Sequence, residues 1–343
     1  MADATAPVLS LPFQEPPAPG RAIEVAPGLL WMRFALPFRL DHVNVYLLED
    51  GPGWTVVDTG IGNEESEAQW RAVLGDVLGT RPITRIIATH CHPDHVGMAG
   101  WLGERTDAPL LMSQTEYLTA LVTQMRPDRL ESEPYVSFYR DHGLSAEVTA
   151  RLLGTGHVYL RMLTGLPRTF RRLIAGETLD IGGRQWDVMT AGGHSPEQVM
   201  LHCAADRLLL AADQVMVRIS PNISVQAMDP QGDPLGIYMR SLRLLKDRLA
   251  EDSFVLPGHH LPFLGLHRRA DELLQHHEAR CESILLACRQ EARTAAELVP
   301  VVFGRRIEDP HQMGFAFSEA LAHINYLERA QRLDFRDGRY RAA

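Results

Sequence analysis

Thr89-His90-Cys91-His92-Pro93-Asp94-His95-Val96-Gly97 is the stretch on which the reading of this sequence turns. It places three imidazoles and a carboxylate within six residues. The apolar run 83–88 leads straight into it, so the cluster sits where a strand ends, the place where α/β folds gather ligands. In an extended turn, alternation points His90 and His92 the same way and turns Asp94 and His95 toward a neighbouring position. Neutral imidazole and carboxylate are the groups that zinc and related divalent ions take as ligands at neutral pH. A polar loop with incidental histidines is the bland alternative, and the density of ligand types at this spacing argues against it. Cys91 lies between two candidates; alternation turns it away from them, so it reads as a core thiol.

On either side of this stretch the chain alternates strand and helix signals. Residues 29–34, 43–48 and 54–57 read as strands between Gly, Asp and Pro punctuation. Helical spacing follows over 64–78, with Trp70, Val73 and Val77 on one side. Beyond the cluster come a helix at 96–102, a strand at 109–112, and a long segment of helical periodicity, about 115–173, without strand alternation. Strand signals return at 184–190, 198–202, 207–211 and 253–256, with a helix at 235–249 before the last. A long amphipathic helix spans 266–290, and helices at 294–303 and 318–332 precede an Asp337-Gly338 hairpin signal. The division expected is an irregular arm at 1–21 with five prolines, a catalytic domain at 22–265, and a helical C-terminal domain at 266–343.

Three further motifs sit at strand ends: Gly192-Gly193-His194-Ser195-Pro196, Leu210-Ala211-Ala212-Asp213 and Leu256-Pro257-Gly258-His259. Each alone is weak, since His194 reads equally as a loop histidine and Asp213 as a helix N-cap. In this order, together with the first cluster, they resemble the metallo-β-lactamase superfamily over roughly residues 22 to 265. The resemblance implies an α/β fold, an αββα four-layer sandwich, with two divalent metal ions as cofactors. Zinc is the ion expected, with iron or manganese as alternatives. It further implies His90, His92 and His194 on one ion, Asp94, His95 and His259 on the other, and Asp213 bridging. Water between two such cations becomes hydroxide near neutral pH, and Asp94 is the catalytic residue expected to orient it and pass a proton to the leaving group.

Asp58, in Val57-Asp58-Thr59-Gly60, matches the family's first-hairpin aspartate, whose expected role is to accept a hydrogen bond from a ligand or tie a loop beneath the metals. A turn-forming aspartate is the alternative. Two positions depart from the commonest pattern. Ala212 and His260 stand where the family often has glycine, and Pro257-Gly258-His259-His260 therefore offers two histidines, of which His259 is the one assigned.

The substrate is less legible. The segment 115–173 reads as a helical insertion able to roof the site, with Met125, Tyr135, Phe138, Tyr139, Tyr159 and Met162 as candidate lining residues; packing of the insertion onto the core is the alternative. Arg218 reads as an anion anchor or as one partner of a surface salt bridge. His276 and His277 read as a solvated or interface face. The chain resembles most the glyoxalase II-like, thioesterase-like and lactamase-β-2-like part of the superfamily, with a winged-helix-like C-terminal lobe serving packing or dimerisation. The leading expectation is hydrolysis of an ester, thioester or lactone of a small organic acid. A phosphodiesterase or endoribonuclease, and an iron-dependent dioxygenase on the same scaffold, are the alternatives.

The bulk numbers bound these choices. With 34 basic against 43 acidic residues the formal charge is −9, which disfavours nucleic acid as the main partner. Residues 291–343 carry equal numbers of basic and acidic side chains, without a basic face for RNA or DNA. The four cysteines form no CxxC pair, and the first residues show no basic-then-apolar leader. Cytoplasm is the expected compartment, a small molecule the expected partner, with no membrane association expected and a homo-oligomer compatible with the tail.

Overall fold

The computed structural model describes residues 9–125, 132–155 and 158–343. Its first sheet is ordered β1 (Ile23–Ala26), β2 (Leu29–Ala35), β3 (His42–Asp50), β4 (Gly53–Val57), β5 (Ile83–Ile87), β6 (Leu110–Met112), β7 (Phe170–Arg172). Neighbours are antiparallel up to β4 and parallel beyond it. The second sheet holds β8 (Thr178–Ile181), β9 (Arg184–Ala191), β10 (Gln198–Cys203), β11 (Leu208–Ala212) and β12 (Phe254–Pro257) in sequence order. Only β11 and β12 in it run parallel.

Helices α1 (Glu64–Ala72), α2 (Pro93–Val96), α3 (Ala99–Thr106) and α4 (Gln114–Met125) contribute to the cover over the first sheet. Short helices α5 (Glu133–Asp141), α6 (Ala146–Thr155) and α7 (Val158–Arg161) follow. Helices α8 (Pro234–Arg248) and α9 (Leu266–Gln290) cover the second sheet. Helices α10 (Ala295–Phe303) and α11 (Pro310–Arg329) and the hairpin β13 (Leu333–Arg336), β14 (Arg339–Ala342) complete the chain.

Three apolar cores separate these layers, and strand alternation decides which core each side chain joins. On β2, Leu29 and Trp31 face the second sheet, while Met32 and Phe34 face the helices. On β3, Tyr46 and Leu48 point inward and Val43, Val45 and Leu47 outward. Opposite them Trp186, Val199, Leu201, Leu210 and Leu256 close the middle core, and Met200, Leu209 and Val255 enter the third. Both faces of the strands β3, β4, β10 and β11 are thus dry, which is why they read as largely apolar runs. The layering is the αββα sandwich expected. Among the described residues no helix is long and apolar enough to cross a membrane.

Several expectations are corrected. The segment 115–173 is not helical throughout, because it ends in β7, which pairs with β6. Strands β1 and β8 alternate but are only four residues each, too short to be read. The last helix begins at Pro310, ahead of the expected 318, because the Asp309 side chain caps the Gln312 amide at 2.8 Å and proline suits the first helical position. Residues 93–96 form a helical turn started by Pro93, where an extended turn was expected. His277 is fully buried, where a solvated or interface face was expected; His276 is exposed. Of the candidate pocket residues, Phe138 is buried with Tyr139 packed beside it, both against Phe317 of α11, and Met162 packs on the first sheet's outer core. Met125 is exposed, Tyr135 is half-buried, and the Tyr159 side chain lies outside the described residues.

The sheets are locked together at the end that carries the histidines. Asn44 of β3 is buried and donates to the carbonyls of Pro257 at 2.9 Å and His260 at 2.8 Å, and the Tyr46 hydroxyl donates to Pro257 at 2.8 Å. Asn44→Ala removes two buried donors from carbonyls at the end of β12, so it is expected to lower the unfolding free energy by about 1–3 kcal/mol. A denaturant titration with an unchanged slope and a lower midpoint would show it; an unshifted midpoint would refute this role.

Candidate metal centre

Five strand ends, β3 through a main-chain carbonyl and β5, β9, β11 and β12 through the loops that follow them, converge on one pocket. It contains all seven side chains picked from the sequence. His90, His92 and His194 form one set whose donor atoms lie within 4.8 Å of one another, and Asp94, His95 and His259 form another. Asp213 stands between them. Its Oδ2 is 3.3 Å from His194 Nε2 and 3.2 Å from His259 Nε2, and its Oδ1 is 3.4 Å from His95 Nε2. His90, His95, Asp213 and His259 are buried, whereas His92, Asp94 and His194 are half-buried. The open side of the pocket is therefore theirs.

Four of the five imidazoles are aimed by the nitrogen they do not present, while His92 turns its Nδ1 to within 2.9 Å of His90 Nε2. His95 donates from Nδ1 to Asp58 Oδ2 at 2.7 Å. His259 donates from Nδ1 to the His42 carbonyl at 2.6 Å. His194 donates from Nδ1 to the Asn222 carbonyl at 2.9 Å. His90 Nδ1 lies 3.0 Å from the Thr89 hydroxyl, which itself donates to Asp58 at 3.0 Å. These partners turn the opposite nitrogens into the pocket. There the Nε2 atoms of His95 and His194 and the Oδ1 of Asp213 are buried without a hydrogen-bond partner. Such orphans are costly unless a cation satisfies them, and a mixed imidazole–carboxylate donor set is one that divalent ions of the zinc type accept. The residues fit a metal centre.

The electrostatics agree with two unlike halves. Burial, then the neighbouring imidazoles, pushes His90 well below the usual imidazole range and His92 down to about 3. Burial also opposes charging of His95 and His259, but Asp213, with Asp58 and Asp94 for His95 and Asp94 for His259, outweighs it. His95 is held well above the usual range and His259 at about 10. Burial likewise disfavours the Asp94 and Asp213 carboxylates, yet His95 and His259 hold both below their ordinary range.

The backbone beneath the pocket is unusual in the same places. Asp58, Ala212 and His260 adopt φ of 65°, 47° and 66°, a region costing non-glycine residues about 1–2 kcal/mol. The two departures from glycine noted in the sequence therefore sit where glycine is the unstrained choice. Gly258 is needed for space: a Cβ there would lie 2.2 Å from Asp213 Oδ1 and 2.9 Å from the His95 ring. The His260 ring lies edge-on to that of His42 at 5.3 Å, and His259 rather than His260 belongs to the clustered donor set. Arg218 is exposed and contributes, after burial and two histidines, to holding His260 down at about 4. Cys91 is buried.

One residue essential to this arrangement was missed in the sequence. Glu116 of α4 is fully buried. Its Oε2 accepts from the Cys91 amide at 2.9 Å, and its Oε1 accepts from the Glu197 amide at 2.6 Å and from the Ser195 hydroxyl. A single carboxylate thus ties the His90–His95 loop to the His194 loop. Nothing local marks it, since a glutamate in the first turn of a helix is ordinary. The supporting carbonyls of His42 and Asn222 are equally silent in sequence.

The profile of the metallo-beta-lactamase superfamily matches residues 38–259, and that of the metallo-beta-lactamase-like C-terminal domain matches residues 281–342. The fold superposes on the crystal structure of a beta-lactamase domain protein from Burkholderia ambifaria with a TM-score of 0.88 at 39% identity, covering 98% of this chain and 97% of that one. An acyl-coenzyme A thioesterase from Gallus gallus is 26% identical over 240 residues, 68% of this chain and 77% of the thioesterase. A linear primary-alkylsulfatase from a Pseudomonas species is 26% identical over 243 residues. That match takes in 67% of this chain, which spans 43% of the alkylsulfatase's length.

Two expectations follow from the site. Glu116→Ala leaves three buried donors unpaired and is expected to lower stability by on the order of 3 kcal/mol or more, read as a fall in melting temperature larger than that of any exposed glutamate so replaced. Because Asp213 and Asp94 favour the protonated forms of His95 and His259, a cation binding there must displace protons, and metal affinity should rise with pH up to about 10, where His259 titrates, with net proton release. Calorimetry in buffers of different ionisation enthalpy measures that release, and its absence would mean that both imidazoles are already neutral.

Proposed function

The chain belongs to the metallo-beta-lactamase superfamily, and from that premise we propose a dinuclear metal-dependent hydrolase acting on a thioester, ester or lactone of a small organic acid. The observation carrying this reading is the convergence of the unpartnered His95, His194 and Asp213 atoms on one pocket, with each imidazole's other nitrogen tethered. His90, His92 and His194 would hold one ion and Asp94, His95 and His259 the other, with Asp213, whose two oxygens face both sets, between them. Divalent cations, when bound there, would bring the pKa of water toward neutrality and polarise a substrate carbonyl. Zinc is the ion this donor set favours.

The chain's own residues perform the remaining work. Asp94 is the carboxylate on the open side of the pocket, placed to orient water and to hand a proton to the leaving group. Asp58 and the His42 and Asn222 carbonyls keep the imidazoles in one tautomer. Cys91 and Ser195 have no part in attack on the substrate; the Ser195 hydroxyl is committed to Glu116. The likeness to an acyl-coenzyme A thioesterase supports a thioester substrate. A sulfate ester is the second reading, favoured by the alkylsulfatase likeness.

Metal content by mass spectrometry and a substrate panel test this. About two divalent ions per chain are expected, with the highest kcat/KM for an acyl thioester among thioester, aryl ester, lactone, alkyl sulfate and phosphodiester. Asp94→Asn should cost on the order of 10²-fold in turnover, and Cys91→Ala should leave it within a few-fold. Preference for the phosphodiester, or inactivation by Cys91→Ala with both ions retained, would overturn the proposal.

A further inference from the structure

The segment after Asp213 is largely buried, apart from Arg218 and Ile219, yet has no regular structure. Val215, Met216, Val217, Ile223 and Val225 are all buried. Backbone polar groups in such a segment need partners that a helix or sheet would otherwise supply. Here many of them come from the C-terminal helices. Arg269 of α9 donates from Nε to the Met216 carbonyl at 2.6 Å and from Nη2 to the Ile219 carbonyl at 3.0 Å. The Val225 amide donates to the Ser318 carbonyl of α11 at 3.1 Å. Asn222 Nδ2 donates to Glu319 Oε2 of α11 at 3.0 Å and to the Phe315 carbonyl at 3.4 Å.

Glu319 is itself fixed. It is buried and paired with Arg280 of α9, and the Arg280 guanidinium lies over the Phe303 ring at 4.7 Å. A second line of contacts runs beside it. His323 donates from Nδ1 to the Glu319 carbonyl at 2.8 Å, which leaves its Nε2 to accept from His277 Nδ1 at 3.1 Å. His277 Nε2 then accepts from the Ser220 hydroxyl at 3.0 Å. Burial holds both imidazoles neutral, His277 at about 2 and His323 at about 3, so the tautomers are set by the carbonyl at one end.

These contacts meet the metal pocket at one atom. The Asn222 carbonyl accepts from His194 Nδ1 at 2.9 Å and so orients the ring. The Asn222 side chain is clamped by Glu319 on the far side of the same residue. We propose that Asn222 and Glu319 are positioning residues through which the C-terminal helices set the affinity of the metal position built on His90, His92 and His194. The inference rests on the reading of His194 as a ligand. Outer partners of ligating imidazoles typically change metal affinity by about 10- to 100-fold when removed, and this partner is held by α11, distant in sequence from every pocket residue.

The test measures the two stepwise zinc affinities of the full-length protein by competition with a chromophoric chelator, and the visible spectrum after cobalt substitution. Asn222→Ala keeps the carbonyl but frees it from Glu319, and Glu319→Gln weakens the clamp from the other side. Arg332→Ala, which breaks an exposed pair with Glu282 on the same lobe, is the control for destabilisation alone. Asn222→Ala and Glu319→Gln are expected to weaken one zinc position by about 10-fold or more, alter the cobalt bands, and leave the other position and the control unchanged. Should Glu319→Gln fail to fold, Asn222→Ala decides. Wild-type protein binding two ions, with Asn222→Ala indistinguishable from it, would overturn this inference alone; wild-type protein binding none would overturn the ligand reading and this inference with it.

Discussion

A buried imidazole nitrogen without a hydrogen-bond partner is an unfavourable thing to fold around, and this pocket holds two, on His95 and His194, beside two carboxylates. The structure tolerates them because every ring whose Nε2 faces inward is anchored at Nδ1 by a group that only accepts, or that passes a hydrogen bond on to one. Asp58 serves His95 directly and His90 through Thr89, and it also accepts from the Thr89 amide at 2.8 Å. Its left-handed backbone, together with those of Ala212 and His260, places local strain immediately beneath the pocket. Strain of this kind persists only where the surroundings over-determine the conformation, and here two packed sheets do so.

The four layers supply that rigidity. Strands buried on both faces cannot shift register without exposing one set of apolar side chains and burying gaps in another. The loops at their ends inherit this fixed spacing. Glu116 then joins two of those loops across the pocket, and Asn44 and Tyr46 bind the first sheet to the end of β12. The pocket geometry is thus a property of the sandwich and of a few buried polar ties, with little left to loop conformation.

The apolar core outside the second sheet continues from Met200 and Leu209 through Leu242 and Leu273 to Leu298, Phe317 and Leu327. The C-terminal helices therefore share an interior with the layer that backs the pocket. Their polar side chains, Arg269, Arg280, His277, Glu319 and His323, line the contact with the irregular segment after Asp213, where no β-ladder is present to satisfy the backbone. Neutral overall charge in this part of the chain accords with side chains engaged with one another and with the segment they hold.

What the linear sequence determined is local and chemical. Ligand types crowded at 90–95, and single histidines or aspartates directly after apolar runs, identify the seven pocket residues because coordination chemistry restricts which side chains serve and strand ends are legible as runs of apolar residues. Long helices such as Leu266–Gln290 were legible for the same reason, since their apolar period extends over many turns. Short strands such as β7, held by pairing with β6, and helix starts such as Pro310, set by an aspartate cap, were misread because few residues carry the signal. The tertiary structure alone decided what aims these side chains. A carbonyl of residue 42 or 222 has no side-chain signature, Glu116 looks like any helical glutamate, and His277 becomes a core residue only when α11 covers it. Hydrogen-bond partners far apart in sequence are chosen by which backbone atoms the packed layers bring within about 3 Å of one another, and a single chain's residue order does not carry that distance.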